Sequence, residues 1–316
     1  MRAAVTGGAG FIGSHLVRGL LARGHEVSVI DDFSSGSRER LAPFVGRVDV
    51  VEGSVLDRDA LDAAIAGCEA VFHHAAIASV ARSLADPRGT DEVNVGGTIE
   101  VMLAAQRHRV GRVVFAGSSA VYGNPAQLPC RETQRADPLS PYGVTKLAGE
   151  HYVHALGALH GVRTSVLRYF NVYGPGQDPA SEYAAVIPRF IAAVTAGQRP
   201  TVNGSGEISR DFVFIDDVVE ANVRAAAPSA PTGLTCNVAS GAATTLLELL
   251  SAIARAAGVE VDPAFGPARA GDIAHSWADV TRAREQLGFG ARVTFADGIA
   301  QTVAWFRDGR VLDASQ

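Results

Sequence analysis

Thr6-Gly7-Gly8-Ala9-Gly10-Phe11-Ile12-Gly13 is the stretch on which the fold turns. Residues 3–6 form a short apolar run that reads as a strand, and the glycines follow at once. Residues 14–23 read as a helix, with Leu16, Leu20 and Leu21 near one face and Gly24 ending it. Residues 25–30 read as a second strand, closed by Asp31-Asp32. Strand, glycine turn, helix, strand, acid is the order of a dinucleotide-binding unit. Gly7 suits the tight turn, Gly10 the close approach of backbone to a pyrophosphate, and Gly13 the packing of helix on strand. The spacing is Gly-x-x-Gly-x-x-Gly, a weak signal alone, so the strand-helix-strand context carries the reading. Asp31 stands where a carboxylate accepts both ribose hydroxyls and repels a 2′-phosphate, which favours NAD over NADP.

The alternation continues outward from this unit. Strands are expected at 48–51, 70–74, 112–116 and 163–168, and helices at 56–66, 92–108 and 141–160. Repeated strand-helix units imply a right-handed, parallel, doubly wound sheet, so the fold class is α/β of the Rossmann type. Ligands of such sheets bind beyond the carboxyl ends of the strands. That rule points to His73-His74-Ala75-Ala76, Gly117-Ser118-Ser119 and Tyr169-Phe170-Asn171. Past Asn171 the rhythm changes. A loop at 174–179, a helix at 182–196 and a polar, glycine-rich stretch at 201–210 precede a strand at 212–215 and a helix at 216–227. A strand at 234–238 and a helix at 246–257 follow. The expected division is a dinucleotide domain over 1–170, with a returning segment near 210–227, and a smaller, discontinuous substrate domain over 171–316.

Ser140-Pro141-Tyr142-Gly143-Val144-Thr145-Lys146 carries the chemistry. Ser140 suits a helix cap and Pro141 the first helical position. Tyr142 and Lys146 then share one face. A phenol is a poor base near neutral pH, and an ammonium beside it favours the phenolate. Tyr-x-x-x-Lys at a helix start is therefore a candidate general base.

The 316 residues are 47% hydrophobic and 19% charged, with a formal net charge of -5 and a pI near 6.0. No basic field is present to attract nucleic acid. Cys68, Cys130 and Cys236 lie far apart and suggest neither a disulfide framework nor a zinc site. The first apolar run is broken by glycines, unlike a signal peptide or a membrane span. A cytoplasmic protein is expected, with no membrane partner. His73 and His74 have no carboxylate or cysteine at ligand spacing, so no metal is expected, and both are expected to pack beside the cofactor.

Taken together, these motifs resemble the extended short-chain dehydrogenase/reductase family, and within it the UDP-sugar 4-epimerases. The resemblance spans nearly the whole chain. It rests on residues 6–13, Asp31-Asp32, Asn94 in Asn94-Val95-Gly96-Gly97-Thr98, and Ser118-Ser119-Ala120-Val121-Tyr122-Gly123. Residues 140–146, 168–174 and 210–217 and Arg269-Ala270-Gly271-Asp272 complete it. It implies that Tyr142 takes the proton of the sugar 4-hydroxyl as hydride leaves C4 for NAD. Lys146 would hold the nicotinamide ribose and lower the Tyr142 pKa. Ser118 would bond the 4-oxygen, with Ser119 supporting. The implied cofactor contacts are Gly7, Gly10, Phe11, Ile12, Gly13, Asp31, Asp32, Ser34, Ser54, Val55, His74, Ala75, Ala76, Asn94, Tyr142, Lys146 and Tyr169. Asn171 would bond the nucleotide diphosphate, Arg210 and Arg269 would pair with phosphate, and Asp272 would accept from the uridine ribose. Ser79, Ser119, Val202 and Ser276 are further implied substrate contacts. The helices near 97–109 and 144–160 would form a homodimer interface.

Departures sharpen the expectation. Related 4,6-dehydratases carry Asp-Glu where this chain has Ser119-Ala120, and related decarboxylases keep a glutamate at the position of Ala120. Without that acid, epimerisation is favoured over water loss or decarboxylation. The alternatives on the same scaffold are a UDP-glucuronate 4-epimerase, a dehydratase and a reductase. Ser54 replaces an aspartate that many relatives hold near the adenine. Ser276 is small where relatives restricted to UDP-glucose and UDP-galactose carry tyrosine, so UDP-GlcNAc and UDP-GalNAc are also expected substrates.

Overall fold

The run before the glycines becomes β1 (Arg2–Thr6), and the chain turns through Gly7 into α1 (Phe11–Ala22) and β2 (Glu26–Asp31). Gly7 takes φ 69°, and a Cβ on it would press on the backbone of Ala75, so the turn requires glycine. The structure is a computed structural model that describes residues 1–178, 186–267 and 273–308. The alternation proceeds through α2 (Arg38–Leu41), β3 (Val48–Glu52), α3 (Arg58–Ile65), β4 (Ala70–His73), α4 (Val80–Ala85) and α5 (Pro87–Asp91). Then come α6 (Gly97–Arg107), β5 (Arg112–Ser118), α7 (Pro141–His160) and β6 (Arg163–Tyr169). The smaller lobe begins with β7 (Asn171–Tyr173), α8 (Val186–Thr195), β8 (Thr201–Asn203), β9 (Ser209–Arg210) and β10 (Phe212–Phe214). After α9 (Ile215–Ala226) and β11 (Leu234–Val238) come β12 (Thr244–Thr245), α10 (Leu246–Ala257), β13 (Ala264–Gly266) and β14 (His275–Ser276). The last elements are α11 (Thr281–Leu287) and α12 (Phe295–Asp308).

Seven strands form one parallel sheet in the order β11-β6-β5-β4-β1-β2-β3. The order reverses between β1 and β4, which opens the crevice where a doubly wound sheet takes its ligand. Successive side chains leave a strand on opposite faces. Val5, Val29, Phe72 and Val114 therefore join one buried cluster with Leu16, Leu20 and Val218. Ala4, Ile30, Val71 and Val113 join the other with Leu61, Ile65, Met102 and Val153. Burial on both faces explains why the strands read as continuous apolar runs.

The structure departs from the sequence reading at the joints. The helix expected from 14 starts at Phe11, because the turn ends at Gly10. α4 and α5 were not expected, nor was the π-helical turn at Glu92–Gly96 that leads into α6. α11 and α12 lie beyond the last expected helix. The segment returning to the large sheet reaches further than 227. α9 packs on α1, with Arg18 to Asp216 at 2.9 Å and Arg23 to Glu220 at 2.8 Å, and β11 then pairs with β6. The expected helix start at 182 lies outside the described residues. Among the described residues no helix is long and apolar enough to cross a membrane, and no group of side chains could hold a metal.

Candidate active site

The glycine turn and the ends of β1, β2 and β4 meet at the crevice. The Gly7 amide donates to the Ile30 carbonyl at 2.8 Å and the Gly10 amide to the Gly7 carbonyl at 3.1 Å. A Cβ on Gly13 would sit on the Gly7 carbonyl oxygen, so α1 starts flush against the turn. No side chain caps α1 and its first turn holds no acid, so its free amides and positive end are left for an anion. Asp31 fixes its carboxylate with Oδ2 on the Ala9 amide at 2.8 Å and Oδ1 on the Phe33 amide at 2.9 Å. Burial raises the Asp31 pKa and these amide bonds lower it. Asp32 accepts from both the amide and the hydroxyl of Ser34. Ser54 caps the next turn by accepting from the Leu56 amide, and Val55 is buried against Gly97.

A polar chain braces the floor. The Thr6 hydroxyl meets His73 Nδ1 at 2.7 Å and accepts from the amides of His74 and Ala75. His73 Nε2 meets Thr98 Oγ1 at 3.0 Å. His74 Nε2 meets the Tyr169 hydroxyl at 3.1 Å, and that hydroxyl donates to Asn222. Burial lowers both histidines to a pKa of about 3, so they stand neutral, as packing groups. Asn94, an expected cofactor ligand, uses both amide hydrogens internally, on the Ile77 carbonyl and on Thr145. Thr145 in turn donates to the Tyr142 carbonyl. The π-helical turn thus ties the loop after β4 to the start of α7.

Ser118 closes β5 and Tyr142 opens α7. Ser140 accepts from the Gly143 amide at 3.1 Å, with Pro141 in the first helical position. Ser83 of α4 accepts from the Tyr142 amide at 3.1 Å. A Cβ on Gly143 would crowd the Ala120 carbonyl, so helix and strand end are in contact. The Ser118 hydroxyl, which accepts from the Ala120 amide, lies close enough to the Tyr142 phenol to lower its pKa, but burial raises it more. The expected depression by Lys146 is therefore not what the protein alone produces. Lys146 Nζ donates to the Ala116 carbonyl at 2.9 Å, and burial lowers its pKa to about 8, with Glu150 pulling upward.

On the facing lobe, the Asn171 backbone amide and one hydrogen of its side-chain amide both donate to the Asp211 carbonyl, and the second side-chain hydrogen is left for the diphosphate expected there. Asp211 is buried, and its carboxylate accepts from Ser240, Gly241 and Ala278. Arg210 and Ser276 are register partners of β9 and β14, so two expected substrate residues are neighbours. Ser79 caps α4 on the Arg82 amide. Val202 does not fit its expected role. It is fully buried in the core of the lobe, because alternation along β8 turns it inward between Thr201 and Asn203. Arg269 and Asp272 lie outside the described residues.

The sequence profile of the NAD dependent epimerase/dehydratase family matches residues 3–239. A UDP-glucose 4-epimerase of Mycolicibacterium smegmatis is 44% identical over 98% of this chain and 99% of its own. The chain belongs to this epimerase/dehydratase family. The UDP-glucose 4-epimerase of Thermus thermophilus, solved in complex with NAD, superposes with a TM-score of 0.88 at 37% identity, covering 97% of this chain and 99% of that one. The UDP-N-acetylglucosamine 4-epimerase of Methanobrevibacter ruminantium, in complex with UDP-N-acetylmuramic acid, gives 0.93 at 35% identity, covering 98% and 99%.

The cradle fits the family's cofactor. The uncapped α1 suits a diphosphate, and Asp31 suits ribose hydroxyls. Sequence reasoning missed several residues around the site. Ser83 and Thr98 act across the fold, and although Thr98 closes the Asn94–Thr98 motif, no local spacing marks either side chain as a site group. Glu150 and Arg168 were also missed, although Glu150 continues the four-residue spacing of Tyr142 and Lys146.

Proposed function

We propose that this family member epimerises UDP-sugars at C4, with NAD as its bound cofactor. The observation that carries this reading is the cluster of Ser118, Tyr142 and Lys146 at the carboxyl end of β5, with Ala120 where water loss would need an acid. The names of the similar proteins support it. NAD, when bound, accepts and returns the C4 hydride and adds positive charge beside the phenol. Tyr142 is the base that removes the 4-hydroxyl proton and later returns it. Ser118 holds the 4-oxygen and passes the proton. Lys146 supplies the fixed positive charge that a buried phenolate needs.

Asn171 and Arg210 face the diphosphate in this reading, and Ser276 leaves room for a 2-acetamido group. The expected substrates are UDP-glucose, UDP-galactose, UDP-GlcNAc and UDP-GalNAc, and the N-acetylglucosamine epimerase among the similar structures supports the wider set. The three free cysteines are buried, which suits a reducing compartment, and the enzyme is assigned to the cytoplasm. A homodimer is proposed through α7, whose outer face carries Val144, Ala148, Tyr152, Ala155 and Leu159. The test is to incubate NAD-loaded protein with these four UDP-sugars and UDP-glucuronate and follow the C4 epimers by NMR. Conversion within the neutral pairs is expected. A 4-keto-6-deoxy product, or no conversion of any sugar, would overturn the assignment.

A further inference from the structure

Glu150 and Arg168 lie behind the catalytic cluster, and the mechanism above uses neither. Glu150 follows Lys146 by four residues on α7 and so lies on the same face. Arg168 of β6 closes on its carboxylate with Nε to Oε1 at 3.0 Å and Nη2 to Oε2 at 2.7 Å. Arg168 Nη1 donates to the Tyr122 hydroxyl at 3.0 Å, and that hydroxyl donates to Asn237 at 2.6 Å. The two charged residues are only 3% and 7% exposed. A two-pronged guanidinium fixes a carboxylate in plane. Here the carboxylate is fixed against the end of β5, because a Cβ on Gly117 would stand 3.2 Å from Glu150 Oε1. Gly117 lies between Ala116, whose carbonyl takes the Lys146 ammonium, and Ser118.

Building on the assignment of Tyr142 and Lys146 above, we infer that Glu150 is a positioning residue that keeps Lys146 charged, and that Arg168 sets how much of the carboxylate's charge Lys146 feels. The other titratable groups beside Lys146 are His73 at the end of β4, His74 just after it and Tyr142 of its own helix, while Arg168 of β6 and then Tyr122 of the turn after β5 lie beyond Glu150. Glu150 alone among these groups carries negative charge. Burial draws Lys146 down to about 8 and Glu150 opposes it. The ammonium exists below that pKa and is lost as pH rises through it. Neutralising Glu150 therefore moves the loss to lower pH. Removing Arg168 leaves the carboxylate unshared and moves the loss to higher pH. A pair that served only packing would shift neither midpoint, or both the same way.

Lys146 is the only lysine in the chain, so lysine labelled with carbon-13 at the ε position gives one side-chain resonance. The experiment titrates that resonance in NAD-loaded wild type, Glu150→Gln and Arg168→Met, with circular dichroism as the check on folding. The expected midpoints move by about one pH unit in opposite directions, down for E150Q and up for R168M. The alkaline limb of kcat should follow each midpoint, and Glu150→Asp should restore most of the wild-type value. Coincident midpoints in folded variants, or shifts of the same sign, would overturn the role of Glu150. If E150Q does not accumulate as folded protein, R168M decides alone. The resonance needs no sugar turnover, so a wild type that converts no UDP-sugar would sink the proposed function and leave this titration valid.

Discussion

At the scale of single residues, the proposed catalysis depends on one hydroxyl. Tyr142 is a phenol that burial pushes away from ionisation, with Ser118 beside it and its backbone held by Ser83 at the amide and Thr145 at the carbonyl. Tyr142→Phe removes the proton acceptor and little else. Turnover should fall about 10²–10⁴-fold, the usual worth of a positioned base, while NAD titration by fluorescence stays near wild type. Activity close to wild type would take Tyr142 out of the mechanism. Asp31 gives a second test. Its carboxylate is already pinned by two backbone amides, so it cannot swing away from a 2′-phosphate. Calorimetry should show NADP binding at least about tenfold more weakly than NAD, and equal affinities would refute the placement. The places of Tyr142 and Lys146 on α7 and of Asp31 at the end of β2 were legible because short-range spacing specifies them. Glu150 and Arg168 were not, because their partnership joins α7 to β6 and exists only after folding.

Elements were readable to the extent that local chemistry marks their ends. α7 starts and stops where the sequence places it. Ser140 caps it, Pro141 fills the first position, and Gly161 ends it at φ 70°. α4 and α5 carry no apolar period and stand on the caps Ser79 and Asp86, so nothing announced them. The start of α1 is more demanding, because close packing rather than a cap defines it. Gly13→Ala would force a methyl onto the Gly7 carbonyl and Gly8, and neither backbone can yield without opening the turn. The expected cost is about 1–3 kcal/mol, as for overpacking elsewhere, seen as a lower Tm and loss of NAD on gel filtration. Wild-type stability with full NAD retention would show that the turn has slack the geometry does not reveal.

Across the whole molecule, the parallel sheet followed from alternating strands and helices, but the path by which the chain revisits it did not. α9 and β11 rejoin the sheet through contacts with α1 and β6, more than sixty residues away in sequence. The same non-local logic applies to the proposed homodimer. Along α7, Val144, Ala148, Tyr152, Ala155 and Leu159 recur at helical spacing, and Val144, Tyr152 and Leu159 are 52%, 42% and 74% exposed. The opposite face of that helix is spent on the sheet, through Val153 and Gly149 against Phe115. In the proposed dimer, the apolar stripe on this twenty-residue helix would pair with its own copy across a two-fold axis. Two copies would bury both stripes and leave both crevices open. Light scattering after gel filtration should therefore give twice the chain mass. Tyr152→Glu combined with Leu159→Glu places two acids on each copy of the stripe and should release monomers with wild-type circular dichroism. A wild type that elutes as a monomer at micromolar concentration, or a double variant that stays dimeric, would move the interface off α7.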